Sequence, residues 1–205
     1  MAGKPIHRGQ TPSQTVGPFY ALGLTPRESG YEYSSLFGAS TIRTETRGER
    51  IRIVGRVLDG EGTPIDDAMI ELWQADADGR YRHAAGSSED PRRPDPTFSG
   101  FARAGTGITP DRSFVFRTIK PGGAADGQAP HVILMIFMRG GLNHLYTRLY
   151  FADEAAANGS DPVLSAVPEE RRPTLIAQRE ETADGVVYRF DIHMQGAHET
   201  VFFDV

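Results

Sequence analysis

Histidine is the side chain best suited to proton transfer or metal ligation near neutral pH, and this chain carries six, at positions 7, 83, 131, 144, 193 and 198. None is spaced as a metal site would need. An H-x-H pair puts two imidazoles on one face of a strand and H-E-x-x-H does so on a helix; neither occurs. Cysteine is absent, which excludes thiolate nucleophiles, disulfides, iron–sulfur clusters and zinc knuckles. There is no G-x-S-x-G elbow, no Gly-rich phosphate loop ending in Gly-Lys and no dinucleotide G-x-G-x-x-G. Spacing alone therefore names no reaction. A net charge of −5 argues against nucleic acid, whose binding needs clustered cations. Lysine occurs only at Lys4 and Lys120, so nearly all positive charge is arginine, which suits paired, partly buried contacts at an interface.

The elements that must position these residues are mostly strands. At 205 residues the chain is long enough for one ordinary domain with its own core. Residues 1–45 are rich in Gly, Pro, Ser and Thr with little periodicity, and are expected to form an extended arm across a surface. Residues 46–205 are expected to form an all-β domain. Ile51, Ile53, Gly55 and Val57 alternate with polar or outward positions, and Asp59-Gly60-Glu61-Gly62 supplies a turn. Further strands are expected at 68–75, 101–105, 113–119, 131–138, 145–151, 186–194 and 200–205. The stretch from His131 to Met138 is almost continuously apolar, as for a central strand covered on both faces. One or two short helices are expected, at 153–159 and at 169–178, where Pro173 limits the start. Many short strands divided by Gly, Pro and Asp turns imply a β-sandwich. The irregular stretch 86–96 is long enough to carry function or meet a partner. Met1 to Gln10 lacks the apolar core of a signal peptide, so a soluble cytoplasmic protein is expected.

Local sequence goes further than spacing. Thr11-Pro12-Ser13-Gln14-Thr15-Val16-Gly17-Pro18-Phe19-Tyr20 resembles the T-P-S-Q-T-x-G-P-[FY] arm of the intradiol ring-cleavage dioxygenases that act on protocatechuate. Gly55 to Gly60, Ile70-Glu71-Leu72-Trp73-Gln74-Ala75-Asp76 and Gly79-Arg80-Tyr81-Arg82-His83 are similar to the core motif of the whole intradiol family. Phe116 to Gly122, Ala129-Pro130-His131, Arg148 to Phe151 and Tyr188 to Ile192 continue the resemblance in order, so that it spans residues ~11 to 205. It implies an intradiol-type β-sandwich and chemistry on Fe(III), a hard cation held in the catalytic chains by two tyrosines and two histidines. The bound catechol is cleaved with O2 between its hydroxyl-bearing carbons, and the iron carries the hard step.

The resemblance also shows what this chain lacks. The first ligand tyrosine falls on Tyr81 and the first ligand histidine on His131, but the second histidine position is Ile133. The stretch from Gly123 to Gly127, where the other tyrosine belongs, contains none, and Gln128 replaces a catalytic arginine. Half a ligand set does not enclose a ferric ion. The pattern resembles the non-catalytic α-type subunits of the family, which pair with a homologous iron-bearing β subunit and build αβ units into larger oligomers. Tyr81 and His131 are then vestigial positions, with no catalytic residue or bound metal expected in this chain alone, and a hydrogen bond between the two is one use left to them. The same resemblance implies that Thr15, Gly17, Pro18 and Arg139 wall the partner's cleft, where protocatechuate and O2 meet. The Arg139 guanidinium would favour an anionic substrate there. Two other readings stay open from sequence: a self-sufficient dioxygenase with an atypical iron site, and a plain β-sandwich binding module.

Overall fold

A computed structural model describes residues 14–17, 20–82, 93–124 and 127–204. Strand β1 (Arg50–Leu58) opens the sandwich and pairs antiparallel with β4 (Ser113–Ile119) and parallel with β8 (Gly185–Arg189). β8 is hairpin-paired to β7 (Ile176–Thr182), completing the first sheet. In the second, β5 (His131–Phe137) lies between β2 (Met69–Gln74) and β6 (Leu145–Phe151), and β2 carries β3 (Phe101–Gly105) on its other side. The sheets meet where β6 and β7 share two parallel pairs, at Tyr150 and Phe151. A two-residue strand β9 (Ile192–His193) pairs parallel with the end of β1, past β8.

Alternation explains why these segments pair face to face. Ile51, Ile53, Val57, Phe114, Phe116 and Tyr188 of the first sheet are buried against Ile70, Leu72, Val132, Leu134, Ile136 and Leu149 of the second. Each such side chain contributes on the order of 1.5–3 kcal/mol by leaving water. The all-β sandwich expected from sequence is what the chain adopts.

Several expectations need correction. β5 is central, but only alternate residues are fully buried: Ile133, Met135 and Phe137 face a half-covered surface. The segment read as one strand at 186–194 is two, because Phe190 and Asp191 leave the ladder to cross over Gly55 and Arg56. Thr200 to Asp204 is no strand; a single bridge joins Phe203 to Tyr146. The helix expected at 169–178 is a 3-10 turn (Glu169–Leu175) leading directly into β7. β7 escaped notice because its side chains, Gln178-Arg179-Glu180-Glu181, face water and leave no apolar alternation to read. The short helix at 153–159 is found as α2 (Ala155–Ser160), followed by α3 (Pro162–Ala166). No described helix is long and apolar enough to cross a membrane.

Within residues 1–45, the described part holds a short helix, α1 (Tyr20–Leu24), and a 3-10 turn (Arg27–Ser29). Beyond them, residues 38–41 run between β3 and β4, the terminal strands of the two sheets. Arg103 N–H donates to the Gly38 carbonyl, Arg117 N–H to Ala39, and Thr41 N–H to Arg117. Phe37 packs edge-on against Phe101, with the Arg103 guanidinium 5.8 Å from both rings while it pairs with Glu71. The Thr41 hydroxyl meets that of Thr118 at 2.7 Å, and Thr118 in turn donates to Gln74, so a buried polar chain pins this segment to both sheets.

Candidate functional site

The residues singled out from sequence gather at the two ends of β5. At its start, Asp76 builds the loop that carries Tyr81. The carboxylate, buried to 1% exposure, accepts from the backbone N–H of Asp78, Arg80 and Asp95 at 2.9–3.0 Å. Gly79 turns the chain at φ 77°, and a Cβ there would run into the Gly123 carbonyl, so two loops touch backbone to backbone. Tyr81 leaves this loop stacked on Trp73, ring centroids 6.0 Å apart, and its hydroxyl lies 2.9 Å from His131 Nε2.

The protonation of this pair follows from its neighbours. His131 Nδ1 lies 2.8 Å from the Ala129 carbonyl, which can only accept, so Nδ1 carries the hydrogen. Nε2 is then the acceptor and the Tyr81 hydroxyl donates to it. Burial lowers the His131 pKa, opposed by the hydrogen bond to the Ala129 carbonyl and aided by the Arg148 guanidinium; burial raises that of Tyr81. Both rings are therefore neutral at pH 7. Tyr150 and Asp161 also face His131, the latter opposing the shift. A folded-state pKa below the unfolded value of about 6.5 means that the unfolded chain takes up a proton first as pH falls. Stability contributed by His131 is full above that value and declines below it. Thermal unfolding between pH 7.5 and about 5 should show this slope, and His131→Gln, which can still accept from Tyr81, should flatten it.

Three of the positions that the family resemblance assigns to iron ligands are thus legible in space; the fourth, a tyrosine in the 123–127 loop, has no counterpart in the sequence. Tyr81 and His131 satisfy each other, and Ile133 offers no donor atom. Gln128 does not stand empty-handed: Arg148, paired with Ile133 across β5 and β6, donates to its side-chain oxygen at 2.9 Å. The donor set does not fit a ferric ion, since two neutral donors engaged with each other beside a guanidinium neither neutralise nor enclose it. Among the described residues there is no group of three or more His, Asp or Glu that could hold a metal. His83 and part of the 86–96 stretch lie outside the described residues.

Arg148 and Tyr150, present in the sequence reading only as part of a motif and without a role, hold this end together with Asp161, which that reading missed. Asp161 is fully buried and caps α3, accepting from Val163 and Leu164 N–H; it also takes Ala129 N–H at 2.8 Å and the Tyr150 hydroxyl at 3.1 Å. That last pair of contacts fixes the segment leading into His131. The signal for Asp161 in the sequence was Asp161-Pro162, a capping residue before a first-turn proline.

At the other end of β5, the chain turns through Met138 to Gly141 and exposes Arg139. Thr15 reaches this turn: its hydroxyl oxygen accepts Gly140 N–H at 2.9 Å, across 125 residues of sequence. Arg139 Nε donates to the Asp67 carboxylate, and the Tyr20 hydroxyl donates to the Asp67 carbonyl. Burial pushes the Tyr20 pKa up to about 12, with the Asp67 carboxylate adding to it. Gly17 is exposed, and an added Cβ there meets nothing within 4 Å. Pro18 lies outside the described residues. Thr15 and Arg139 are thus brought together, while His131, with Tyr81 bonded to it, sits eight residues back along the chain, about 26 Å for an extended strand. The remaining described histidines join neither group: His144 stacks on Phe137, and His193 and His198 line a cleft with Arg56 and Asp191.

A sandwich of two sheets with a tyrosine and a histidine converging at the start of its central strand is the frame of a ring-cleavage dioxygenase. The family model described as Dioxygenase matches residues 36–196, and the chain belongs to the intradiol dioxygenase family. It is 50% identical over 197 residues to the protocatechuate 3,4-dioxygenase alpha chain of Burkholderia cepacia, covering 96% of this chain and 98% of that one. To the alpha chain of Pseudomonas putida it is 39% identical over 201 residues, covering 95% and 96%. The beta chain of the Burkholderia cepacia enzyme is 34% identical over 166 residues, 76% of this chain and 68% of that one. In fold it is similar to an intradiol ring-cleavage dioxygenase from Tetranychus urticae, with a TM-score of 0.61 at 17% identity over 83% of this chain and 92% of that one.

Proposed function

We propose that this chain is the non-catalytic α subunit of a protocatechuate 3,4-dioxygenase and completes the active-site cleft of an Fe(III)-bearing β subunit. One observation carries the reading: the retained ligand positions, Tyr81 and His131, are bonded to each other, with Ile133 and an arginine-bound Gln128 beside them. Near full-length identity to alpha chains supports it, as does weaker likeness to a beta chain. The two-ended layout of β5 supports it as well. In a pseudo-two-fold pair of homologous chains, a surface far from a chain's own pocket is free to serve the pocket of its partner. The corner of Thr15, Gly17 and Arg139 is assigned that task, and the family resemblance adds Pro18 to it.

On this reading the partner's iron supplies the oxidative chemistry, which opens protocatechuate with O2 to 3-carboxy-cis,cis-muconate in the cytoplasmic breakdown of aromatic compounds. This chain binds and orients. Thr15 holds the arm to the Gly140 turn, the open space over Gly17 admits a close approach, and Arg139 presents a cation to the substrate carboxylate. Expression of the chain alone and together with a homologous β chain tests the proposal. The expected result is a stable complex with one iron per αβ unit and ring-cleaving activity, against an iron-free, inactive single chain. Stoichiometric iron and turnover in the single chain would overturn it, and so would failure of the two chains to associate.

A further inference from the structure

We propose that Asp67 is a positioning residue for Arg139: it fixes the guanidinium by its Nε and so aims the terminal Nη pair outward at the partner's cleft. The inference rests on the cleft-wall reading above. An arginine side chain loses considerable rotamer freedom when held in one pose, and an exposed one stays put only if something holds it. Arg139 is 59% exposed, whereas Asp67 is 24% exposed and sits on the approach to β2. Pairing through Nε uses the inner edge of the planar fork. The two terminal nitrogens, which face away from that edge, form the bidentate face that matches a carboxylate. Among the described residues Asp67 is the only hydrogen-bond partner of Arg139.

The same residue is tied to the arm. The Asp67 main-chain carbonyl accepts the Tyr20 hydroxyl, and Tyr20 N–H donates to the Gly17 carbonyl at 3.2 Å. Thr15 grips the residue after Arg139. Arm and arginine are therefore set against each other through Asp67 on one side and Gly140 on the other, so the wall keeps one shape. The Asp67 side chain and main chain act separately here, which makes the side-chain part testable.

The test uses the αβ complex and compares protocatechuate with catechol, which lacks the carboxylate. Asp67→Asn keeps the size and loses the charge; Asp67→Glu keeps the charge. For Asp67→Asn, KM for protocatechuate is expected to rise about five- to tenfold with a smaller change in kcat, and KM for catechol by less than about twofold. Asp67→Glu should recover part of the loss. In the double variant with Arg139→Ala, no loss beyond that of Arg139→Ala alone is expected. If Arg139→Ala leaves protocatechuate KM unchanged, the cleft role of the arginine fails and the inference with it. If Arg139→Ala raises KM but Asp67→Asn is silent, additive, or equally harmful toward catechol, the cleft reading stands and the positioning role of Asp67 falls.

Discussion

Replacing Asp161 by alanine is expected to cost about 3–5 kcal/mol of stability. Four donors converge on this carboxylate: three backbone N–H groups, from Ala129, Val163 and Leu164, and the Tyr150 hydroxyl. The cap of α3 accounts for about 0.5–2 kcal/mol. The rest comes from Ala129 N–H and the buried Tyr150 hydroxyl, which the substitution leaves facing a void. Because Ala129 also holds His131 Nδ1 through its carbonyl, the Tyr81–His131 bond should loosen at the same time. Chemical denaturation of the purified protein measures the first effect. A loss below about 1 kcal/mol would mean that water enters and replaces the carboxylate.

Gly79→Ala should follow it in size, at about 2–4 kcal/mol. Two costs add. An L-residue is strained at φ 77°, and its Cβ would point into the Gly123 carbonyl. Neither can relax locally, because Gly122 is tight as well: a Cβ there would stand 2.5 Å from the Ala77 carbonyl oxygen. The two loops must part, taking Tyr81 with them. Trp73 is the sole tryptophan of the chain and stacks on Tyr81, so its fluorescence reports the movement directly. An unchanged emission spectrum together with unchanged stability would show that the loops yield freely.

How much of this was legible beforehand depended on whether a residue's role was local. Strands with one apolar face announced themselves, and β3, β4 and β6 begin and end where their alternation does. β7 did not, since a strand whose exposed residues run Gln, Arg, Glu, Glu without a break has the composition of a surface helix or loop. The end of β8 was invisible for another reason: the chain leaves the ladder at Phe190 because the close approach of its carbonyl to Gly55 permits it, a contact across 135 residues. Tyr81 and His131 could be placed from motifs, because motifs record chemistry. Asp161 and Asp67 could not. Each also holds partners distant in sequence, and a lone Asp on a turn reads as ordinary surface.

The seam closed by residues 38–41 bears on how such a chain recognises anything. A bare strand edge offers amides and carbonyls alone, and these are identical in every polypeptide, so an uncovered edge zips to kin and stranger alike. Here Gly38, Ala39 and Thr41 occupy the middle of both terminal strands. What remains for association is side chains and turns, the part of a protein that differs between one homologue and the next. A fold finished in this way can prefer a cousin to its own twin.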